Sequence, residues 1–250
     1  STFLILFSLY ICRMRKKLST LIIALFLIPA GIGFAQSEPG SFNLSFNYSY
    51  TTSSKIFLRP NSSDPFERGS HENIDGIYGY YGELRYFIGE GIIAGLSVES
   101  LKRTDNNFAM NLGGYKIKMT DGYQIYPVEL SVYYHLPFST ADFNFFMGGG
   151  VGAYFGNYIR EFYNVSIDSK LEKFAFGIHV AVGMDYQITE NLGIRGQMRF
   201  RDPEMKFNNT YKENIAILPD KNLLLPVRNF DTAVNLDGIV FMIGVTFTIN

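Results

Sequence analysis

The spacing of apolar residues predicts an all-β protein: an antiparallel, up-and-down transmembrane β-barrel, most simply of eight strands, preceded by a cleavable signal peptide. Three observations predict it. Apolar residues recur at every second position through eight runs that begin after residue 36. Short connections alternate with long ones. One face of every run is free of charge, although 18% of the chain is charged. A period of two is the period of a strand, and short turns at one end with long loops at the other are the pattern of membrane barrels.

Composition and charge exclude other classes. With 22 Lys plus Arg against 23 Asp plus Glu and no basic block, the chain carries no electrostatic footprint for nucleic acid. Aromatic residues make up 16% of it, far too many for a disordered polypeptide. Met14 is followed by Arg15, Lys16 and Lys17 and then by the apolar LSTLIIALFLIPAGIGFA, the order of a secretory signal. Pro29 and Gly31 interrupt that run, which falls short of the roughly 20 residues a membrane-spanning helix needs. Residues 1–35 are therefore expected to be leader plus signal peptide, with the start at Met14 and cleavage near Ala35, and 36–250 the barrel domain. Cys12 is the single cysteine and follows Tyr10 and Ile11, where a lipidation site wants a small residue. The exported part then has no thiol chemistry and no disulfide. Because Arg13, Arg15, Lys16 and Lys17 precede the cleavage point, 18 basic residues remain against 23 acidic, a net charge of −5.

In 41–50, Phe42, Leu44, Phe46, Tyr48 and Tyr50 alternate with Asn43, Ser45, Asn47 and Ser49. Runs 77–88 and 92–100, joined by the short 89–91, set Glu83, Arg85, Ser97 and Glu99 opposite Leu84, Leu96 and Val98. Runs 126–136 and 143–155, joined by 138–142, place Glu129, Ser131 and His135 opposite Val128, Leu130 and Val132. The second of these carries Gly148, Gly150 and Gly152 on its polar face, expected to make room for Tyr81, Tyr133 or the arginines. Runs 174–188 and 192–200, joined by 189–191, set His179, Asp185, Arg195, Gln197 and Arg199 against Ile178, Val180, Ile194 and Met198. The last run, 239–250, alternates Phe241, Ile243 and Val245 with Thr246 and Thr248. The long connections are 51–76, 101–125, 156–173 and 201–238.

A soluble sandwich would alternate too, but the aromatics decide against it. Tyr48, Tyr50, Tyr78, Tyr80 and Tyr126 gather at the long-loop ends, and Phe42, Tyr86, Tyr134, Phe143, Tyr186 and Phe247 at the short-turn ends, as two membrane interfaces require. Edge amides cannot go unpaired in hydrocarbon, so the sheet has to close. The polar face then lines a lumen. At eight strands that lumen holds only side chains or one small ligand. Its charges nearly balance, Glu83, Glu99, Glu129 and Asp185 against Arg85, Arg195 and Arg199, and are expected to form a paired structural plug.

The final GIVFMIGVTFTIN resembles the C-terminal assembly signal of outer-membrane barrels, although many of these end in Phe and this chain in Asn250. YGELRYFIGEGIIAGLSVE, YPVELSVYYHLPF and GIHVAVGMDYQITENLGIRGQMRF resemble the small barrels of the OmpX, OmpW and opacity-protein type, over nearly all of the mature chain. The resemblance implies the cell outer membrane, contact with outer-membrane lipid and lipopolysaccharide, and the barrel assembly machinery as a partner of the last strand. It also implies, for the OmpW type, a conduit for small hydrophobic molecules.

No catalytic, cofactor or metal motif is found. His179 and His135 have no hydroxyl two residues on, where the pair of a barrel lipid hydrolase would place it. His71 lies near Asp64, Glu72 and Asp75 without the spacing of a metal site. Gly148, Gly150 and Ala153 match a nucleotide-loop pattern, but no helix follows to meet a phosphate. Function is left to the loops, which are expected to meet an extracellular ligand. The last long loop is apolar at Ile215, Ile217, Leu218, Leu223, Leu224 and Leu225, a candidate entrance for a hydrophobic molecule; it is also long enough for one more strand pair, which would give ten.

Overall fold

The structure is a computed structural model. It describes residues 39–250 except Gly113, Ala141, Pro226 and Asn250, so the leader and signal-peptide expectations lie outside the described residues. In chain order the elements are β1 (Phe42–Phe57), a short helix α1 (Pro65–Gly69), β2 (His71–Gly89), β3 (Ile92–Leu112), β4 (Tyr115–His135), β5 (Phe143–Phe162), β6 (Val165–Leu171), β7 (Ala175–Gln187) and β8 (Leu192–Arg201). They continue with β9 (Glu204–Tyr211), β10 (Ile215–Ile217), β11 (Asn222–Leu224), β12 (Asn229–Asn235) and β13 (Ile239–Ile249).

Eleven strands form one antiparallel sheet, and β10 and β11 pair separately. Antiparallel pairings run β1–β2–β3–β4–β5–β7–β8–β13, and β13 pairs with β1 from Phe42↔Ile249 to Thr51↔Val240. Beyond this level β5 passes from β7 to β6, β6 pairs with β9, β9 with β12, and β12 with β1. The segments 172–174, 202–203 and 236–238 are where the chain passes from one set of partners to the other.

The burial pattern is that of a sheet solvated by hydrocarbon. Large apolar side chains stand outward, Tyr80 and Ile178 at 74% exposure and Phe46 at 56%, while Arg85 and Arg195 are fully buried at 0%. In water this arrangement would forfeit the hydrophobic driving force, but against lipid it is the one that leaves no charge unsolvated. The aromatic pairs Tyr48–Tyr78, Tyr48–Tyr80 and Tyr50–Tyr78 lie near one rim, and Phe42–Tyr86 and Phe143–Tyr186 near the other.

Several segments expected as loops are strand. β1 and β2 run on to Phe57 and back to His71, and β3 and β4 run to Leu112 and Tyr115 as the projecting hairpin that the alternation of residues 108–126 suggests. The reason lies in a change of facing. The buried positions are odd up to Thr51 in β1 and then even at Ser54 and Ile56. In β2 they pass from Ile77 to Ile74, with Gly76 between them at φ 67. A two-residue period read across that change looks like its end. β3 has a comparable irregularity, a register shift between Asp105 and Phe108. The 201–238 segment, expected as a long loop with room for one more strand pair, holds β9 to β12, of which β9 pairs with β12 and β10 with β11.

β5 depends on its glycines. A Cβ at Gly148 or Gly150 would run into the β4 backbone, so the room they make is first for a neighbouring strand, and at Gly148 also for the Tyr133 ring.

Placing Leu130→Arg on the exposed face of β4, where Leu130 is 59% exposed, is expected to destabilise the folded protein in lipid vesicles by about 2–4 kcal/mol in urea titrations. Ile217→Arg, on an exposed face outside that sheet, is expected to shift the same transition by less than about 0.5 kcal/mol.

Candidate functional site

The buried polar face gathers the predicted charges into one network. Arg195, on β8, donates from Nε and Nη2 to Asp185 at 2.7 and 2.8 Å, from Nη1 to Glu83 at 2.9 Å and to Ser45 at 3.1 Å, and from Nη2 to Asn43 at 2.9 Å. Arg85 donates to Glu83 at 2.8 Å and to Gln197 at 3.0 Å, with its guanidinium 4.0 Å from the centroids of Tyr133 and Phe146. Bidentate and stacked contacts of this kind exploit the planar fork of arginine, which lysine lacks.

One step along the axis, Arg199 bonds to Glu129 and donates to the Tyr81 hydroxyl at 2.6 Å. Tyr154 donates to Glu129 at 2.7 Å, and Ser49 to Glu99 at 2.6 Å. Tyr133 joins the two groups: its hydroxyl donates to Glu83 at 2.7 Å and accepts from Arg199 at 3.4 Å. Arg201 was missed by the sequence reading, which closed its run at Phe200. It is fully buried, bonds Glu99 at 2.7 Å and lies 3.6 Å from Glu129. The alternation Arg195, Gln197, Arg199 already pointed to position 201. Four arginines then face four carboxylates.

The structure also brings together Ser131 and His179, 2.9 Å apart, with Glu129 3.9 Å from the other ring nitrogen. Gly150 separates them in the sheet, paired with Ser131 on one side and His179 on the other, so the imidazole crosses a position with no side chain. Glu129 is committed to Arg199 and Tyr154, and Ser131 and His179 are only 4% and 3% exposed, so the trio has the contacts of the plug.

Above the charges lies an apolar layer. Ile56, Ile74, Ile77, Leu101, Tyr123 and Ile125 are buried together with Met205, Phe207, Val234 and Leu236. A second cluster, Ile117, Met119, Phe162, Val165 and Tyr211, lies under the β10–β11 hairpin, which contributes Ala216 to it. The predicted entrance residues divide between its faces. Leu218, Leu223 and Leu225 pack against this cluster, whereas Ile215, Ile217 and Leu224 are exposed at 47%, 57% and 72%. The hairpin is held at its ends. The Asn164 side chain donates to the Ile215 carbonyl at 3.1 Å and accepts from the Ile217 amide at 2.7 Å. Lys221 lies 3.1 Å from the Tyr115 ring centroid, and its ammonium lowers the pKa of that hydroxyl below the usual phenol value.

This architecture, a lipid-solvated antiparallel sheet around paired charges, agrees with the sequence comparisons. The chain belongs to the outer membrane protein beta-barrel domain family. That family's profile matches residues 20–218, most of the chain. The outer membrane protein OprG from Pseudomonas aeruginosa is similar in fold, with a TM-score of 0.55 at 16% identity over 85% of this chain and 97% of that one. Ail, the attachment invasion locus protein of Yersinia pestis, aligns over 85% of this chain and 100% of its own at 12% identity, with a TM-score of 0.45. E. coli outer membrane protein W aligns over 85% and 99% at 16% identity, with a TM-score of 0.35. None of the curated proteins compared has significant sequence similarity to the chain. The family places this chain in the cell outer membrane.

His71 is exposed, its Nδ1 3.1 Å from the Gly69 carbonyl oxygen. No group of three or more His, Cys, Asp or Glu able to hold a metal occurs among the described residues.

Removing the Tyr133 hydroxyl in Tyr133→Phe is expected to cost about 1–3 kcal/mol in vesicle urea titrations, because Glu83 and Arg199 both lose a partner. Tyr134→Phe, on the exposed face, serves as the neutral control.

Proposed function

We propose that the chain is exported by its leader and closes into an eight-stranded barrel with a plugged lumen, and that it is a non-enzymatic envelope protein acting through its extracellular extension. Closure is supported by β1 and β13 pairing over ten residue pairs, from Phe42↔Ile249 to Thr51↔Val240. The observation that carries the plugged lumen is the stacking of two seals. The lower is a layer of charges paired with one another, and the upper a mostly apolar layer whose buried hydroxyls are bonded within the protein, Tyr123 to Ser54 at 2.7 Å. An anchor of this kind offers its loops to lipopolysaccharide or to an extracellular ligand, and its last strand to the assembly machinery.

A second reading, an OmpW-like conduit for small hydrophobic molecules, is favoured by one specific observation. The upper layer is apolar, and beside it the wall changes partners at 172–174 and 202–203, where Pro203 lies against Gly177. An apolar molecule admitted from the mouth would meet the charged floor and leave sideways.

Uptake of an apolar fluorophore that lipopolysaccharide normally slows separates the two readings, measured in cells exporting the protein and in empty-vector cells. The first reading predicts equal uptake with the protein folded and inserted. Faster uptake, lost on deleting 215–227, would replace it with the second.

A further inference from the structure

The β10–β11 hairpin covers apolar surface with apolar surface, yet its own backbone is finished by groups from elsewhere. β10 is an edge strand, and the edge groups of Ile215 and Ile217 meet the side-chain amide of Asn164 in place of a third strand. That amide reproduces the donor and acceptor of a peptide unit. Asn164 sits in the two-residue turn between β5 and β6, where Tyr163 takes a left-handed conformation at φ 49 that a residue of its size rarely adopts. The root of the hairpin is pinned as well, since the Glu213 carboxylate accepts from the Ser166 amide at 2.8 Å. Lys221 makes the far contact at Tyr115, the first residue of β4. The fastenings are therefore polar and peripheral, while Ala216, Leu218, Leu223 and Leu225 make the apolar contact with Ile117, Met119, Phe162 and Val165. At the margin of that contact, Phe108 and Met119 also line a cavity of about 180 Å³ with Leu58 and Ala109, its polar side being Glu72, Asn73 and Asp105.

We propose that β10–β11 is a latched lid whose apolar underside holds a binding surface for a small apolar molecule, and that Asn164 is the latch. The proposal rests on the second functional reading, in which apolar molecules arrive at the mouth. The leucines show by occupying the surface that it accepts aliphatic groups. A ligand competes with Leu218, Leu223 and Leu225 for Ile117, Met119, Phe162 and Val165. The polar fastenings set how often it succeeds, because they are the contacts an apolar ligand cannot replace.

The test measures lid opening directly in the full chain, reconstituted in lipid vesicles. Ala216→Cys, fully buried on the lid's underside, is labelled with a water-soluble maleimide, and Leu223→Cys serves as a second reporter. Adding Asn164→Ala is expected to raise the labelling rate about tenfold, since two hydrogen bonds are lost and the edge is left open. Lys221→Met is expected to raise it by a smaller factor. Adding n-octane to the protein with Asn164 intact is expected to raise it too, while labelling of an exposed Asn229→Cys control stays constant. Unchanged rates in Asn164→Ala with both reporters would overturn the latch, and indifference to n-octane would overturn the ligand surface. Labelling as expected, with no uptake of the apolar fluorophore in cells, would refute the conduit while leaving the lid in place.

Discussion

Everything in this molecule follows from having hydrocarbon, rather than water, against its outer face. No backbone group or charge can be satisfied there, so backbone groups pair between strands and charged side chains turn inward. That choice creates a second problem, because four arginines and four carboxylates then share one buried network. An isolated buried charge costs several kcal/mol, and the attraction between partners repays this only where geometry is good and the remaining donors and acceptors are used. Arg195, held by Asp185, Glu83, Ser45 and Asn43 together, is that condition met.

The glycines and tyrosines serve the network in complementary ways. Gly150 gives up a side chain so that the β4 backbone can approach and His179 can cross to Ser131. Tyr81, Tyr133 and Tyr154 bring an apolar ring and a polar tip, so each hydroxyl bonds a member of the charged layer while the ring is free to join an apolar one. Tyr154 belongs to both: its ring packs in the upper apolar layer and its hydroxyl bonds Glu129.

Much of this was legible in the sequence. The exposed face could be read because lipid excludes charge from every second position, which is a pattern within one strand. The inward charges could be read for the same reason, but their partners could not, because pairing depends on register across strands distant in sequence, such as Glu83 with Arg195. Arg201 was lost by ending a run one residue early, with Asp202 and Pro203 following. The extensions of β1 and β2 were lost where facing changes around Gly76. The apolar stretch after Ile215 was noticed from composition. That its two faces have different fates depends on Asn164, more than fifty residues upstream, a single polar side chain with no pattern of its own.

Whether the pairing of buried charges holds the interior together is read from a double-mutant cycle on Glu83 and Arg195. Glu83→Gln, Arg195→Met and the double variant would be compared by urea titration in vesicles. A coupling of at least about 1.5 kcal/mol is expected, with the double variant more stable than the sum of the single losses implies. Additive losses would mean that each charge is satisfied without the other, and would contradict it.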